Sequence, residues 1–461
     1  MKLGGNNMKR SCILAVAAFV FLCITGSCVP QGITPQPIEV PPPVEQKNDS
    51  LTIFIAEWQS SYQTLNTAVT MYEKQFPDVE VKVQHIFPQT WEEFDDAYTK
   101  MTAEIMSGEG PDVFLMQPDI MDMEKLARRG VLADMQPFFE ADNFDWTPYN
   151  QAVMDGGVWE GKRLAIPLNY EIPVLIANKE VLTECGLSLD NLDSFQGMVE
   201  ETAKLLNDPG NSRSIFRVPE LLHIFPYIAG LPYADYDRQK ADFSSPELET
   251  DIRWYAELIR LRRETDGVEG IAAAADVRDG IGLWMYPQVQ INDFLVGYGA
   301  MKTLGETVTI PLRNAQGGLS ARITNAVLVR NSSENLENAY NLIKIMLSEE
   351  LLEAVMKYQH ITGFSVMESM NYAYYDWEIA DRDIPVIDPS SPIAGFETVD
   401  PPTPEEFEEL MGYTREVNDA YFDNTAFIGL DQYLGDYISG KSSYEDAIKQ
   451  AERQLAIYLS E

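Results

Sequence analysis

Histidine, cysteine and cationic residues are all scarce in this sequence. The three histidines, His85, His223 and His360, are scattered through 461 residues without the short spacing of metal ligands, which argues against a zinc site. Of the four cysteines, Cys12, Cys23 and Cys28 fall in or at the end of an apolar N-terminal segment. If that segment is removed and Cys28 is modified, Cys185 stands alone and no intramolecular disulfide is expected. A lone cysteine with no histidine near it in sequence reads as a small buried hydrophobe. Lysine and arginine number 34 against 72 acids, for a formal charge of −38. Residues 1–27 hold Lys2, Lys9 and Arg10 and no acid, so the remainder carries 31 − 72 = −41. Such a surface repels nucleic acid and other polyanions, and suits a neutral or cationic ligand. Beyond Ser27 no apolar run is adequate to span a bilayer. Gly-x-Ser-x-Gly, Walker A and His-Glu-x-x-His motifs are missing. No cofactor is expected.

What is present begins with a secretory signal. Lys9-Arg10 precede an apolar stretch from Cys12 to Ile24, and Thr25-Gly26-Ser27-Cys28 follow; a basic region, a short apolar region and small residues form a signal peptide. Met8 reads as well as Met1 for its start. Val29 to Ser50 holds six prolines and almost no periodicity, the composition of a solvated, semi-extended tether. With 45% apolar residues, the rest can bury substantial cores, and its length suits two large lobes.

The body opens with Leu51 to Ala56, a buried-strand pattern, then Glu57-Trp58-Gln59-Ser60. A helix to about Gln75, a strand at Val79–Val83 and a helix over Trp91–Met106 follow. Gly108 to Met135 is the stretch around which the chain is organised. Gly108, Gly110 and Pro111 end the preceding helix. Val113–Met116 is a short apolar run of the kind a buried parallel strand shows. Gln117-Pro118-Asp119 turns into a helix reaching Arg129, and Gly130 stands where a C-cap residue would. The β-α-β-α-β-α order predicts a doubly wound α/β sheet, whose ligands gather at the carboxyl ends of strands. Trp58, Gln59, Gln117 and Asp119 all leave that edge. An aromatic there can stack on a pyranose ring; equally, Trp58 can pack under a loop and Asp119 can cap a helix.

The same residues carry a resemblance. Gly108, Pro111, Asp112, Val113, Leu126, Ala127, Gly130, Leu132 and Asp134 match the signature of family 1 extracellular solute-binding proteins, the sugar-binding lipoproteins of ABC importers. Further matches follow in order. Gly161-Lys162, Ala165 and Pro167, then Asn178-Lys179, resemble the segment where the chain crosses between lobes. Asp279 to Pro287 resembles a short strand before a cleft-lining loop. Glu334 to Leu347 resembles a helix after a second crossing, and Gly440-Lys441 to Ala447 resembles the C-terminal helix pair. Two departures stand out. Asp193-Ser194-Phe195 replaces a usual Thr-Trp, and no proline stands between His360 and Phe364. The Ser27-Cys28 ending resembles a lipobox, with Thr25 in place of the usual aliphatic residue.

The resemblance implies a two-lobe periplasmic-binding-protein-like fold of type II, with doubly wound sheets joined by a hinge. Lobe boundaries are expected at 51–168 with 323–362 and at 169–322 with 363–461, after a signal peptide (1–27) and a lipidated tether (28–50). Crossings are expected near Asn169, Arg322–Asn325 and Thr362–Phe364. Tyr170 and Glu171 stand in a polar break between two strands and should face the cleft. Trp284, Tyr286, Gln288 and Gln290 lie along or beyond the next strand, and Asn325 near the centre of a return strand. From Ser194 to about Ala274, and again from Pro401 onward, the chain reads as mainly helical. The aromatic and acidic run Tyr372–Glu378 is either a carbohydrate surface or a helix packing face.

The expected function is capture of a small ligand, a sugar or oligosaccharide, for an ABC permease. The protein would be a non-enzymatic monomer, lipid-anchored through Cys28 outside the cell membrane. The rival readings are a secreted glycosidase and a surface lipoprotein that binds cell-wall polymer without a transporter. A glycosidase needs two carboxylates at a set separation across a cleft; 72 acids supply such pairs by chance, but no eightfold βα rhythm is visible.

Overall fold

The computed structural model describes residues 50–56, 61–116, 121–192, 200–201, 203–204, 216–217, 228–231, 233–266, 283–289, 291–302, 305–356, 363–379, 384–385, 398–422 and 428–460. All of them fall in one unit, Gln46–Glu461.

Eight strands are labelled here: β1 Ser50–Ala56, β2 Glu80–Ile86, β3 Val113–Met116, β4 Ala165–Asn178, β5 Leu283–Val289, β6 Thr307–Pro311, β7 Leu319–Val329 and β8 Val417–Phe422. They form one extended sheet in the order β2-β1-β3-β7-β4-β5, with β6 added to β4 and β8 to β7. β1 pairs in parallel with β2 and β3, as the βαβ rhythm requires. β7 then runs antiparallel to both β3 and β4. β1 and β3 are apolar almost throughout because helices cover both faces. β2 is the edge strand and alternates, turning Glu80, Lys82 and Gln84 outward, which discourages pairing with another chain.

The Gly108–Met135 stretch folds as its residues demand. Gly108 and Gly110 take φ of +84° and +88°, and Gly130 takes +67° just past the helix Met123–Arg128, conformations that favour glycine. Asp112 is buried at 4% exposure. It accepts from Thr52 N (2.8 Å), Thr52 Oγ1 (2.7 Å), Ser333 Oγ (2.7 Å) and Asn335 Nδ2 (3.2 Å), and faces Arg330 Nη2 at 3.4 Å. One carboxylate thus ties the starts of β1 and β3 to the loop after β7.

The expected strand, polar break and strand around Asn169 is instead one continuous strand, β4. Asn169, Tyr170 and Glu171 stay extended because neighbouring strands pair with them, on both sides for the first two. β7 pairs with all three, and Phe364–Ser365 pairs with Tyr170 and Asn169. Two further segments read as mainly helical contain strands. The hairpin Ala234–Asp235 with Lys240–Ala241 precedes the helix Pro246–Asp266, and β8 runs parallel to β7. The aromatic run Tyr372–Glu378 is a helix packing face: Tyr375 stacks on Phe407 at 4.2 Å between ring centroids.

Two hydrophobic cores result. The larger collects β1, β3, β7 and their helices; the second collects Leu182, Leu248, Ile252, Leu434 and Leu455 with their neighbours. β4 serves both. Val174 and Ile176 point into the first and Leu175 and Ala177 into the second, the two-residue alternation of a strand buried on both faces.

At the entry to β4 the backbone of Gly157 lies against that of Ala165. Gly157 O accepts from Leu164 N (3.0 Å) and Ala165 N (3.2 Å), and a Cβ on Gly157 would lie 2.1 Å from Ala165 O. Gly157→Ala should therefore destabilise the protein by about 1–3 kcal/mol, the usual range for overpacking. Urea unfolding checks this, and an unchanged midpoint would contradict it.

Candidate functional site

A cavity of about 1090 Å³ opens between elements of the two cores. One wall comes from the first core: Glu124 and Arg128 on the helix Met123–Arg128, and Trp159 on the hairpin Val158–Arg163. The facing wall is the hairpin loop carrying Tyr236 and Asp237, which follows Tyr233 of the second core. The floor is the end of β8, Asn418 to Phe422.

Local sequence explains each position. Trp159 precedes a two-residue turn in which Glu160 and Gly161 take φ of 52° and 79°, the conformation of a tight hairpin. The half-buried indole stacks on Phe422 (5.7 Å, 25°) and donates from Nε1 to Glu124 Oε2 at 2.6 Å. Arg128 lies over the Tyr236 ring (5.6 Å to its centroid) and pairs with Glu124 and Asp237. Six carboxylates line the cavity, Glu124, Asp155, Asp235, Asp237, Asp242 and Asp419, and Arg128 pairs with the first and fourth of them. The arrangement offers a flat apolar platform beside hydrogen-bond acceptors, suited to a ring with hydroxyls on its edge and a nonpolar face.

Asp122 closes one end of this wall. It caps the helix through Lys125 N (2.9 Å) and accepts from Tyr236 Oη (2.9 Å) and Tyr458 Oη (2.7 Å). Burial raises its carboxyl above the ordinary aspartate value, although these three donors and the nearby Lys125 pull the other way. The folded protein therefore holds this proton more tightly than the unfolded chain. The resulting stabilisation is fully present below the ordinary aspartate value and is lost as pH rises through the folded value. Asp122→Asn removes that dependence. Between about pH 3 and pH 7 its melting temperature relative to wild type should rise with pH; a constant difference would contradict the assignment.

The sequence-derived candidates fall in three groups. Trp58, Gln59, Gln117, Asp119, Gln290 and Cys28 lie outside the described residues; β1 and β3, which precede four of them, pair in register and end level at Ala56 and Met116. Tyr170, Glu171 and Asn325 come together on β4 and β7, with Arg322 opposite Glu171 and Asn325 opposite Asn169. Tyr170 is 2% exposed, packed against Phe364 (5.7 Å) with its hydroxyl 3.5 Å from Asn150 Nδ2. Burial pushes that hydroxyl up to about 12. Glu171 is buried beside Arg322 at 3.3 Å. Both side chains thus sit within the crossing strands, where an open cleft surface was expected. Trp284, Tyr286 and Gln288 are on β5, with Tyr286 opposite Val174 on β4; Tyr286 and Gln288 were expected at the strand's exit, but the strand runs on to Val289.

Trp159, Glu124, Arg128, Tyr236 and Phe422 were missed from sequence. Trp159 carried the one available signal, an aromatic at a tight Glu-Gly turn beside the lobe-crossing motif.

Several solved structures share this architecture. An ABC substrate-binding protein from Listeria monocytogenes, in complex with cycloalternan, matches with a TM-score of 0.56 and 19% identity, over 90% of this chain and 100% of its own. The cyclic alpha-maltosyl-1,6-maltose binding protein of Arthrobacter globiformis gives 0.58 and 18%, over 89% and 99%. The sugar-binding protein MalE of Xanthomonas citri gives 0.62 and 15%, over 89% and 97%. These likenesses establish the two-lobe binding-protein fold. The sequence model of one family, "Bacterial extracellular solute-binding protein", matches residues 55–351. With its two cores on either side of an aromatic, acid-rimmed cleft, the chain belongs to the bacterial extracellular solute-binding proteins.

Proposed function

We propose that the protein captures a sugar or oligosaccharide in the cleft between its two cores and hands it to an ABC permease. The observation that carries this reading is the cavity itself. At about 1090 Å³ it reaches the upper end of the roughly 300–1,000 Å³ of small-molecule sites, room for several rings. Its aromatic platform and carboxylate rim match sugar faces and hydroxyls. Structures of the same fold in complex with cycloalternan and named for binding a cyclic maltosyl-maltose support the class.

In this reading the lobes comprise 51–168 with 323–362 and 169–322 with 363–461. Trp159, Glu124, Arg128 and Tyr236 contact the ligand directly. Trp58, Gln59, Gln117, Asp119, Trp284, Tyr286 and Gln288 are further ligand contacts in this reading. Tyr170, Glu171 and Asn325 support the crossing strands. The protein is a monomer without catalytic activity. Incubation with malto-oligosaccharides and cycloalternan should raise the melting temperature and leave the sugars intact. Hydrolysis products would make it a glycosidase; no shift with any of them would count against the sugar class.

The chain is further proposed to be a lipoprotein anchored through Cys28. Among the described residues no helix is long and apolar enough to cross a membrane, so the anchor rests on the lipid, and a diacylglycerol supplies the two chains that stable attachment takes. Cys28→Ala should yield a folded protein that no longer sediments with membranes. Continued sedimentation would refute the anchor.

A further inference from the structure

We propose that Asp122, Tyr236 and Tyr458 form a latch that joins the two cores at the rim of the cavity and holds the cleft closed before any ligand arrives. Asp122 belongs to the first core, capping the helix whose Met123 and Leu126 are buried there. Tyr458 lies on the helix Tyr444–Ser460, whose Leu455 and Ala451 are buried in the second core. Tyr236 stands in the loop of a hairpin packed on that core through Ala234 and Ala241.

One carboxylate, 7% exposed, thus receives hydroxyls from partners 114 and 336 residues away. Lys125 strengthens the same joint, donating from Nζ to Tyr458 O (3.1 Å) and lying 4.3 Å from the centre of its ring. The exposed Arg128–Asp237 pair bridges the same two walls but, being open to solvent, adds little. Charge-assisted hydrogen bonds to a buried carboxylate are among the stronger polar contacts. Separating the cores would break both hydrogen bonds. Asp122 acts as a positioning residue: through its helix it sets where Glu124 and Arg128 stand in the cavity. A cleft already biased towards closure binds with less of its affinity spent on the conformational change.

The functional consequence rests on the proposed sugar-binding reading, whereas the latch is tested without ligand. Small-angle scattering of the full chain compares wild type with the Tyr236→Phe/Tyr458→Phe double variant, which removes two hydroxyls and keeps both rings. The ligand-free double variant should show a larger radius of gyration with its cooperative thermal transition retained. An unchanged radius in the double variant overturns the latch. So does loss of its cooperative transition, because the hydroxyls would then be part of the fold itself. In titrations with maltotetraose Tyr458→Phe, which lies outside the cavity lining, should raise Kd up to roughly 10-fold, and an unchanged Kd beside an enlarged radius would remove the latch's role in binding. If wild type does not bind maltotetraose, the sugar reading is what suffers; the scattering result still decides the latch.

Discussion

Asp112→Ala should destabilise the protein by about 3–5 kcal/mol, the range for removing one partner of a buried ionic site. The carboxylate is the shared acceptor for Thr52, Ser333 and Asn335, with Arg330 at its side. Alanine would leave Thr52 N, a buried Ser333 hydroxyl and a largely buried guanidinium (12% side-chain exposure) without it, and buried donors stripped of an acceptor carry the full cost of desolvation. Asp112→Asn should fall between the two, because an amide offers only one acceptor oxygen and brings two donors of its own. Urea unfolding gives the midpoint and slope; a shift below about 1 kcal/mol for alanine would mean the network is redundant.

Trp159→Ala should weaken sugar binding by roughly 5- to 150-fold, the equivalent of about 1–3 kcal/mol for losing a stacking face. The substitution also frees Glu124, which accepts from the indole at 2.6 Å, to pair with Arg128 alone. The fold should persist, since Glu160 and Gly161 make the turn and the indole is only half buried. Trp159→Phe separates the two contributions. It keeps an aromatic over Phe422 and loses the Nε1 donor, so its loss should be the smaller one. Equal affinity for alanine, phenylalanine and wild type would reduce Trp159 to a lid over Phe422.

Much of the fold was legible because its signals are local. Pro77, Gly108, Gly110, Pro111 and Gly130 punctuate the chain where backbone geometry requires it, and the apolar runs of β1 and β3 announce strands covered on both faces. The residues that carried the family resemblance turn out to be architectural. Asp112 knots three strand ends together, and Asp134 accepts from Gln136 N and Arg163 N, each at 3.0 Å.

The site was much less legible, for a physical reason. Its walls are assembled from the separate segments Met123–Arg128, Ala152–Trp159, Tyr233–Asp242 and Asn418–Phe422, and no local pattern encodes which loops will meet. Tyr170 and Glu171 drew attention as polar residues between two apolar runs, but β7 and Phe364 bury them by pairing. β8 looked helical because Val417–Phe422 is short and lies between helix-forming stretches. It becomes a strand because the exposed edge of β7 accepts its backbone groups in parallel, a tertiary partner that local propensity cannot foresee.

In the proposed function one ligand touches both cores across the cavity. Amide hydrogen exchange of the full chain, alone and saturated with a sugar that binds, tests it most directly. Exchange should slow together at Met123–Arg128, Asp155–Trp159, Tyr233–Asp242 and Asn418–Phe422, the segments that line the cavity. Binding with protection confined to one wall, or to segments away from all four, would contradict it.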